Sequence, residues 1–484
     1  SRGTTTAGNG RYEISVPGAA SVLEFSFIGY ESQEETVGAR SVIDVTMKES
    51  AIAIESVVSI GYGVKKKTDL TGAIGSVESD IIASRGVVNP MEALQGQIPG
   101  VNITTNSSRA GSGFSIQIRG QNSLAGGEPL YVVDGIVVDE ISFLNPSDIE
   151  RIDVLKDASS NAIYGSRGSN GVVIIVTKQA ASAQKDRISI SYDGYYGIKQ
   201  VTRMPDFMGG DEFQNYRMAA YLTKMSGYPD KTTNETRYEI TPGNFKSATI
   251  NAGIWQRYAD KDYFDWIGAA FRNASQQNHF LSINGNVRNT SFVVSMGYQN
   301  EEGIFKGDEF KRVSLRGGLT HKIKEIATIG FQSNMSFINN DRGATDYINK
   351  ALSMNPLVKA YDENGQLIDY PASTIGLGEP SNGKQYTSGI NPLVDLANTD
   401  NNRRGYYLLA NLFAEIQPVK GLKVKSQFSP TLRTSRSGEY YGVKTNKRRT
   451  AKTDMAQVAK REYLEYTWDN SVTYSRVIGD HSFD

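Results

Sequence analysis

Histidine, cysteine and paired carboxylates carry most acid–base, nucleophilic and metal chemistry, and this chain offers little of it. It has no cysteine, and its three histidines, His279, His321 and His481, are too scattered to suggest a metal site or a triad. No G-x-x-x-x-G-K-[ST] phosphate loop occurs, and neither Gly61-Tyr62-Gly63 nor Gly111-Ser112-Gly113 is a dinucleotide fingerprint. Asp and Glu are plentiful, but carboxylates on solvated loops are usually just that. No enzyme, cofactor or metal is expected. The charges that stand out are Arg119, Glu150, Arg151 and Arg167, because Gly120 and Gly168 follow the first and last directly. A dehydrated charge must be paired, and losing one partner costs about 3–5 kcal/mol. Lys+Arg 52 balance Asp+Glu 52, so nothing points to nucleic acid as a partner.

Those charges must be positioned by the stretch from Phe114 to Thr177, where strand-like runs alternate with glycine-rich corners. Asp134-Gly135 between two apolar runs predicts a hairpin, since a type I′ turn needs φ > 0 there. Asn145-Pro146-Ser147-Asp148 predicts a helix start, with Asn as N-cap and Pro at the first position. Asn89-Pro90-Met91-Glu92 predicts another helix, running to about Gln97 and stopped by Pro99-Gly100. The result is a small, tightly turned α/β unit. Two polar loops of small residues, Thr105–Gly113 and Gln121–Gly127, project from it.

This stretch closely resembles the plug of the SusC/RagA-like TonB-dependent outer-membrane transporters. The resemblance is carried by Ile118-Arg119-Gly120, by Pro129 to Gly135 (PLYVVDG), by Asp153 to Ala158 (DVLKDA) and by Ile163 to Gly171 (IYGSRGSNG). It implies that Arg119, Glu150, Arg151 and Arg167 hold the plug against the barrel wall. It also implies that Asn106, Ser107, Ser108, Arg109, Gln121, Asn122 and Ser123 face the substrate, although plain turn chemistry explains those residues equally well. Residues 1–48 resemble the end of a carboxypeptidase-regulatory-like β-sandwich, with strands expected over Tyr12–Val16, Leu23–Ile28 and Ser41–Met47. Residues 49–67 resemble the TonB box region and its linker. There Glu55, Ser56, Val57, Val58, Ser59 and Ile60 form an extended segment suited to strand addition by TonB, or else an ordinary linker.

No run approaches the roughly 18 apolar residues of a membrane helix. After the plug (68–180), residues 181–484 instead show long alternation. Ile188, Ile190 and Tyr192 oppose Ser189, Ser191 and Asp193; Val313, Leu315 and Leu319 oppose Arg312, Ser314 and Arg316; Leu464, Tyr466 and Trp468 oppose Glu465, Thr467 and Asp469. In a soluble sandwich the polar face lies outside, whereas in a membrane barrel it lines the lumen. Connections alternate between tight ones, such as Val287–Thr290 and Gln417–Gly421, and long ones near Lys199–Asn278, Asn339–Arg404 and Ser437–Arg461. That is the turn-and-loop signature of outer-membrane barrels. Tyr407, Tyr440, Tyr441, Tyr463 and Trp468 suit interfacial girdles. The loop aromatics Tyr228, Trp255, Tyr258, Tyr263 and Trp266 could stack on sugars or pack around a loop helix near Asp211–Met225.

The fold expected is therefore mainly β: a plugged transmembrane β-barrel of about 22 strands, of which about eight are present here, preceded by a partial β-sandwich. The chain is expected to begin within a trimmed domain and to stop partway round the barrel. The resemblance implies active import of an oligosaccharide or peptide through the outer membrane. Its partners would be a SusD-like surface lipoprotein, the TonB–ExbB–ExbD machinery and outer-membrane lipid. A β-rich surface adhesin, or a transporter that also signals, is the alternative.

Overall fold

The computed structural model describes residues 4, 6, 10–25, 33–47, 57–60, 63–66, 74–120, 127–157, 162–178, 187–225, 252–324, 326–371, 390–478 and 481–483. The chain divides into two compact units, Ser1–Thr71 and Gly72–Asp484.

In the first unit, β1 (Val22–Phe25) pairs antiparallel with β2 (Gln33–Thr36), and β3 (Val57–Ile60) with β4 (Gly63–Lys66). The strands expected at 12–16 and 41–47 do not form, since their backbone joins no ladder among the described residues. Tyr12 packs edge-on to Phe25 at 5.3 Å and donates to the Ile43 carbonyl at 2.8 Å.

The plug follows. Strands β5 (Ile74–Glu78), β8 (Leu130–Val133), β9 (Ile136–Val138), β10 (Ile149–Leu155) and β11 (Val172–Thr177) form a sheet in the order β5-β10-β11-β8-β9. Only the β11–β8 pair is parallel. Strands β6 (Val101–Thr105) and β7 (Phe114–Ile118) make a separate hairpin, and helices α1 (Ser79–Ser84) and α2 (Pro90–Leu94) cover the sheet. Burial of both its faces, in cores built from Val173, Ile175, Ile152, Val154 and Val133 on one side and Val172, Ile174, Val132 and Leu155 on the other, explains why β11 reads as a near-continuous aliphatic run. The Asp134-Gly135 turn forms as expected, with φ of 48° and 85°. Asn89 caps α2 by accepting from Met91 N at 3.0 Å, but the helix stops at Leu94, short of Gln97. Asn145 caps only a single 3-10 turn, Pro146–Asp148, because Ile149 at once enters β10.

The wall is an eight-stranded antiparallel meander: β12 (Arg187–Lys199), β13 (Ala274–Val287), β14 (Thr290–Glu302), β15 (Glu309–Ile323), β16 (Ala327–Asp341), β17 (Thr399–Val419), β18 (Leu422–Tyr441) and β19 (Met455–Tyr474). A short hairpin of Arg476–Ile478 with His481–Phe483 follows. Its two faces are inverted relative to a soluble sheet. Ile190 (68 %), Met296 (56 %), Leu315 (48 %), Met335 (47 %) and Leu464 (73 %) are exposed, while Ser295, Arg312, Ser314 and Arg316 on the opposite face are buried against the plug. An apolar outer face and a polar inner one is the lipid–lumen pattern. Tyr298, Val313, Phe337 and Tyr406 stand in register along the outer face. Tyr192 and His279 join them, with His279 Nδ1 2.7 Å from the tyrosine hydroxyl, so this histidine belongs to an aromatic belt. Trp468 and Tyr440 also face outward. Tyr407, Tyr441 and Tyr463 do not, since they share the inner parity of Arg433. Tyr407 stacks on Phe143 of the plug at 5.8 Å, which removes it from any girdle.

Strands β16–β19 run further than the alternation suggested, because their ladders continue where both faces have become polar. The long loops are shorter in consequence, and all lie at one end of the wall, opposite the tight turns. They pack on one another: Trp266, Met354, Leu357, Val358 and Leu393 form an apolar core with Tyr258 and Tyr263 against it. The Trp266 indole N–H donates to the Asn355 and Val358 carbonyls at 3.1 and 3.2 Å. Trp266, Tyr258 and Tyr263 therefore pack the loops, next to a helix over Gly210–Met225. Tyr228 lies outside the described residues, as does the side chain of Trp255.

Candidate functional site

The surface that must seal, and must open if anything passes, is the contact between plug and wall. It is largely polar, and β15 supplies its centre. Arg312 and Arg316 lie four residues apart on the inward parity and are each 2 % exposed. Arg312 donates to the carbonyls of Ser142 (2.8 Å) and Val88 (3.1 Å) and to Gln299 Oε1. Arg316 donates to the Lys178 carbonyl and to Thr177 Oγ1 (2.6 Å). Thr177 passes the contact inward, donating from its N (2.9 Å) and Oγ1 to the carboxylate of Asp134. The aspartate that opens the β8–β9 turn thus ties that turn to the end of β11 and, through it, to the wall.

Around this centre stand further contacts. Ser295 of β14 donates to Asp148, whose carboxyl burial pushes upward, while the serine hydrogen bond and the Arg316, Lys178 and Arg312 charges oppose that shift. Glu140 accepts from Tyr407 (2.6 Å) of β17 and Arg433 (3.1 Å) of β18. Gly111 N donates to Glu301 at 3.0 Å, and Glu301 also pairs with Lys199. Arg109 reaches the loop end: it pairs with Asp308 at 2.8 Å and donates to the carbonyls of Arg342 (2.8 Å) and Thr345 (3.0 Å). Burial raises Asp308 from 3.8 to about 6, against the pull of Arg109, Arg342 and Arg272. Ser107, Ser108 and Arg109 line a polar cleft of about 340 Å³ between plug and wall, with Glu92, Lys199 and Glu301.

Among the described residues, the ion pairs of the residues expected to make the plug–wall contacts are within the plug. Arg119 is half exposed and pairs with Asp157 within the plug. Arg151 pairs with Asp153 on its own strand at 3.0 Å. Glu150 and Arg167 are exposed. Of the expected substrate loop, Arg109 is engaged by the wall loops, Asn106 is exposed, and Ser107 shares a hydrogen bond with Ser112. Gln121, Asn122 and Ser123 lie outside the described residues, as do Glu55 and Ser56 of the docking segment. Val57, Val58, Ser59 and Ile60 form β3. Sequence reasoning missed Asp148, Glu140, Arg312 and Arg316 as contacts. Parity had placed both arginines on the polar face, and charge among serines on that face was the signal available.

Residues 66–172 match the TonB-dependent receptor plug domain. A TonB-dependent receptor of Formosa agariphila is 32 % identical over 444 residues, 91 % of this chain and 41 % of the relative. The TonB-dependent receptor SusC of Bacteroides thetaiotaomicron is 33 % identical over 410 residues, 80 % of this chain and 37 % of the relative. The chain thus spans about two fifths of the length of these curated relatives. The RagAB peptide importer in its open-open state superposes with a TM-score of 0.68 at 26 % identity, over 88 % of this chain and 47 % of that one. With the plug held by polar contacts to the lumen face of a wall whose other face is apolar, the chain carries a TonB-dependent receptor plug domain and over most of its length is similar to the SusC/RagA-like TonB-dependent receptors of the outer membrane.

Proposed function

We propose that the protein carrying this chain imports an oligosaccharide or a peptide across the outer membrane by TonB-coupled active transport. A SusD-like surface lipoprotein would deliver the solute from outside, and TonB–ExbB–ExbD would supply energy from inside. The observation that supports this best is the polar plug–wall contact. An apolar seal would have to expose its core to water to move, whereas arginines bonded to carbonyls and hydroxyls can exchange those partners for water, at a net cost of roughly 1.5–3 kcal/mol per hydrogen bond of a charged group. The RagAB importer acts on peptides by its own description. The resemblance to SusC keeps oligosaccharides in view, and growth of a deletion strain on single glycans and peptides chooses between them.

Energy must reach the plug from the inner side, since an outer membrane has no ion gradient or ATP of its own. The segment Glu55–Ile60 is the proposed grip, and its Val57–Ile60 part already adopts strand geometry. Strand addition relies on backbone donors, and proline removes one and fixes φ. Val58→Pro is expected to abolish uptake at normal surface level with substrate still bound, and Ser59→Ala to change little. Normal uptake by the proline variant would move the grip elsewhere. Solute binding without energy-dependent accumulation, in the unaltered protein, would replace import with an adhesin role.

A further inference from the structure

The outer face of the wall changes character one step beyond its aromatic row. The next outward positions above Tyr298, Val313, Phe337 and Tyr406 are Asn300, Lys311, Asn339 and Arg404, and the row continues through Arg436 to Lys460. Arg404 and Arg436 are direct cross-strand partners, and like charges placed so repel. Lys311 has Glu309 at 2.8 Å, and Lys460 pairs with Glu462. Neither arginine has a carboxylate partner among the described residues. Two exposed guanidinium groups held side by side call for an anion from outside the chain.

The shape around them says which anion. A groove of about 510 Å³ opens on the outer face, and Arg404 and Arg436 share it with Asn339, Asp341, Asp400 and Asn402. Asn402 donates to Asn339 at 2.8 Å, and Asn339 to Asp341 at 3.1 Å, which fixes a ready-made set of amide and carboxylate groups. Gly438 lines the groove, where an added Cβ would meet nothing within 4 Å. Tyr406 (58 % exposed) lies in the next outward row below, with Thr434 and Glu462, and Leu432 (43 %) and Leu464 (73 %) of the lipid-facing wall in the row after that.

We propose that this groove binds the phosphorylated sugar headgroup of an outer-leaflet glycolipid. Arg404 and Arg436 clamp the phosphate in the bidentate geometry that guanidinium favours. The Asn339–Asp341–Asn402 array takes sugar hydroxyls, and the acyl chains run down the apolar wall. The ligand is thus a fixed lipid at the rim and not cargo. The inference rests on the membrane placement of the wall and is independent of what is imported.

Native mass spectrometry of the full-length protein in detergent, titrated with monophosphoryl lipid A, tests it. Arg404→Gln with Arg436→Gln is expected to lower lipid affinity roughly thirtyfold, from about 1 kcal/mol per cation near a membrane surface. Removing the phosphate from the lipid should lower the affinity of the unaltered protein as much. Lys423→Gln, at the tight-turn end of the same wall, should leave it unchanged. If the double variant does not fold, judged by heat-modifiable migration, Arg436→Gln alone decides at roughly fivefold on the same scale. Equal occupancy with and without the arginines, or with and without the phosphate, overturns the proposal. Displacement of the lipid by an equal concentration of inorganic phosphate overturns it too, in favour of a plain anion site.

Discussion

Arg109 shows how a single side chain can join three parts of the molecule. It leaves a plug loop, pairs with Asp308 between β14 and β15, and donates to two carbonyls of the segment after β16. Asp308 is almost wholly buried, and its value of about 6 exceeds the unfolded 3.8 because desolvation outweighs the arginines. The sign follows. Between about pH 4 and 6 the folded state keeps a proton that the unfolded chain has lost, so this group's contribution to stability falls as pH rises through that window and is level above it. Hydrogen exchange of the loop around residues 303–308, followed against pH, is expected to show faster opening from pH 4 to 6. In Asp308→Asn that slope should vanish. An unchanged slope would assign the titration to another group.

Loop 105–113 depends on close approach at the scale of the element. Gly111 has φ of 63°, and a Cβ there would lie 2.2 Å from the Phe310 ring of β15. Gly113 has ordinary φ, and its added Cβ would meet only Asn106 Nδ2 at 3.4 Å, a flexible end. Gly111→Ala is therefore expected to push the loop off the wall and break the Gly111–Glu301 bond, whereas Gly113→Ala is nearly neutral. Limited proteolysis at Arg109 reads the difference, with roughly a tenfold faster cut for about 1.4 kcal/mol of lost closure. Equal rates for the two variants would mean that the loop is not held by this contact. The glycine and the polar character of the loop were legible in the sequence, but the ring it abuts is some 200 residues away and was not.

For the whole molecule, the arrangement of connections fixes an orientation. The long loops lie at one end, where those after β12 and β16 share an apolar core, while the opposite end has turns as tight as Lys420-Gly421, with Gly421 at φ 90°. In outer-membrane barrels the long end faces outward. Epitope tags placed in 200–209 or 362–365 should be stained on intact cells, and a tag at Lys420-Gly421 only after permeabilisation. The reverse pattern would invert the topology and remove the glycolipid groove from the outer leaflet.

By itself the sequence determined what depends on neighbours a few positions away. Strand parity follows from the twofold alternation of side chains, the Asp134-Gly135 turn from the sterics of positive φ, and the Asn89 cap from a hydrogen bond two residues long. The motifs from Ile118 to Gly171 carried the family resemblance on the same local footing. Tertiary structure decided which face looks at lipid, because alternation is the same pattern read from either side and only the plug on the polar face resolves it. It also decided which charges meet. Arg119 and Arg151 found partners within the plug, while Arg312, Arg316 and Glu140 became the seal, through contacts spanning from about 140 to nearly 300 residues. Such pairings are set by sheet register and by how the plug seats in the wall, and no local pattern encodes either.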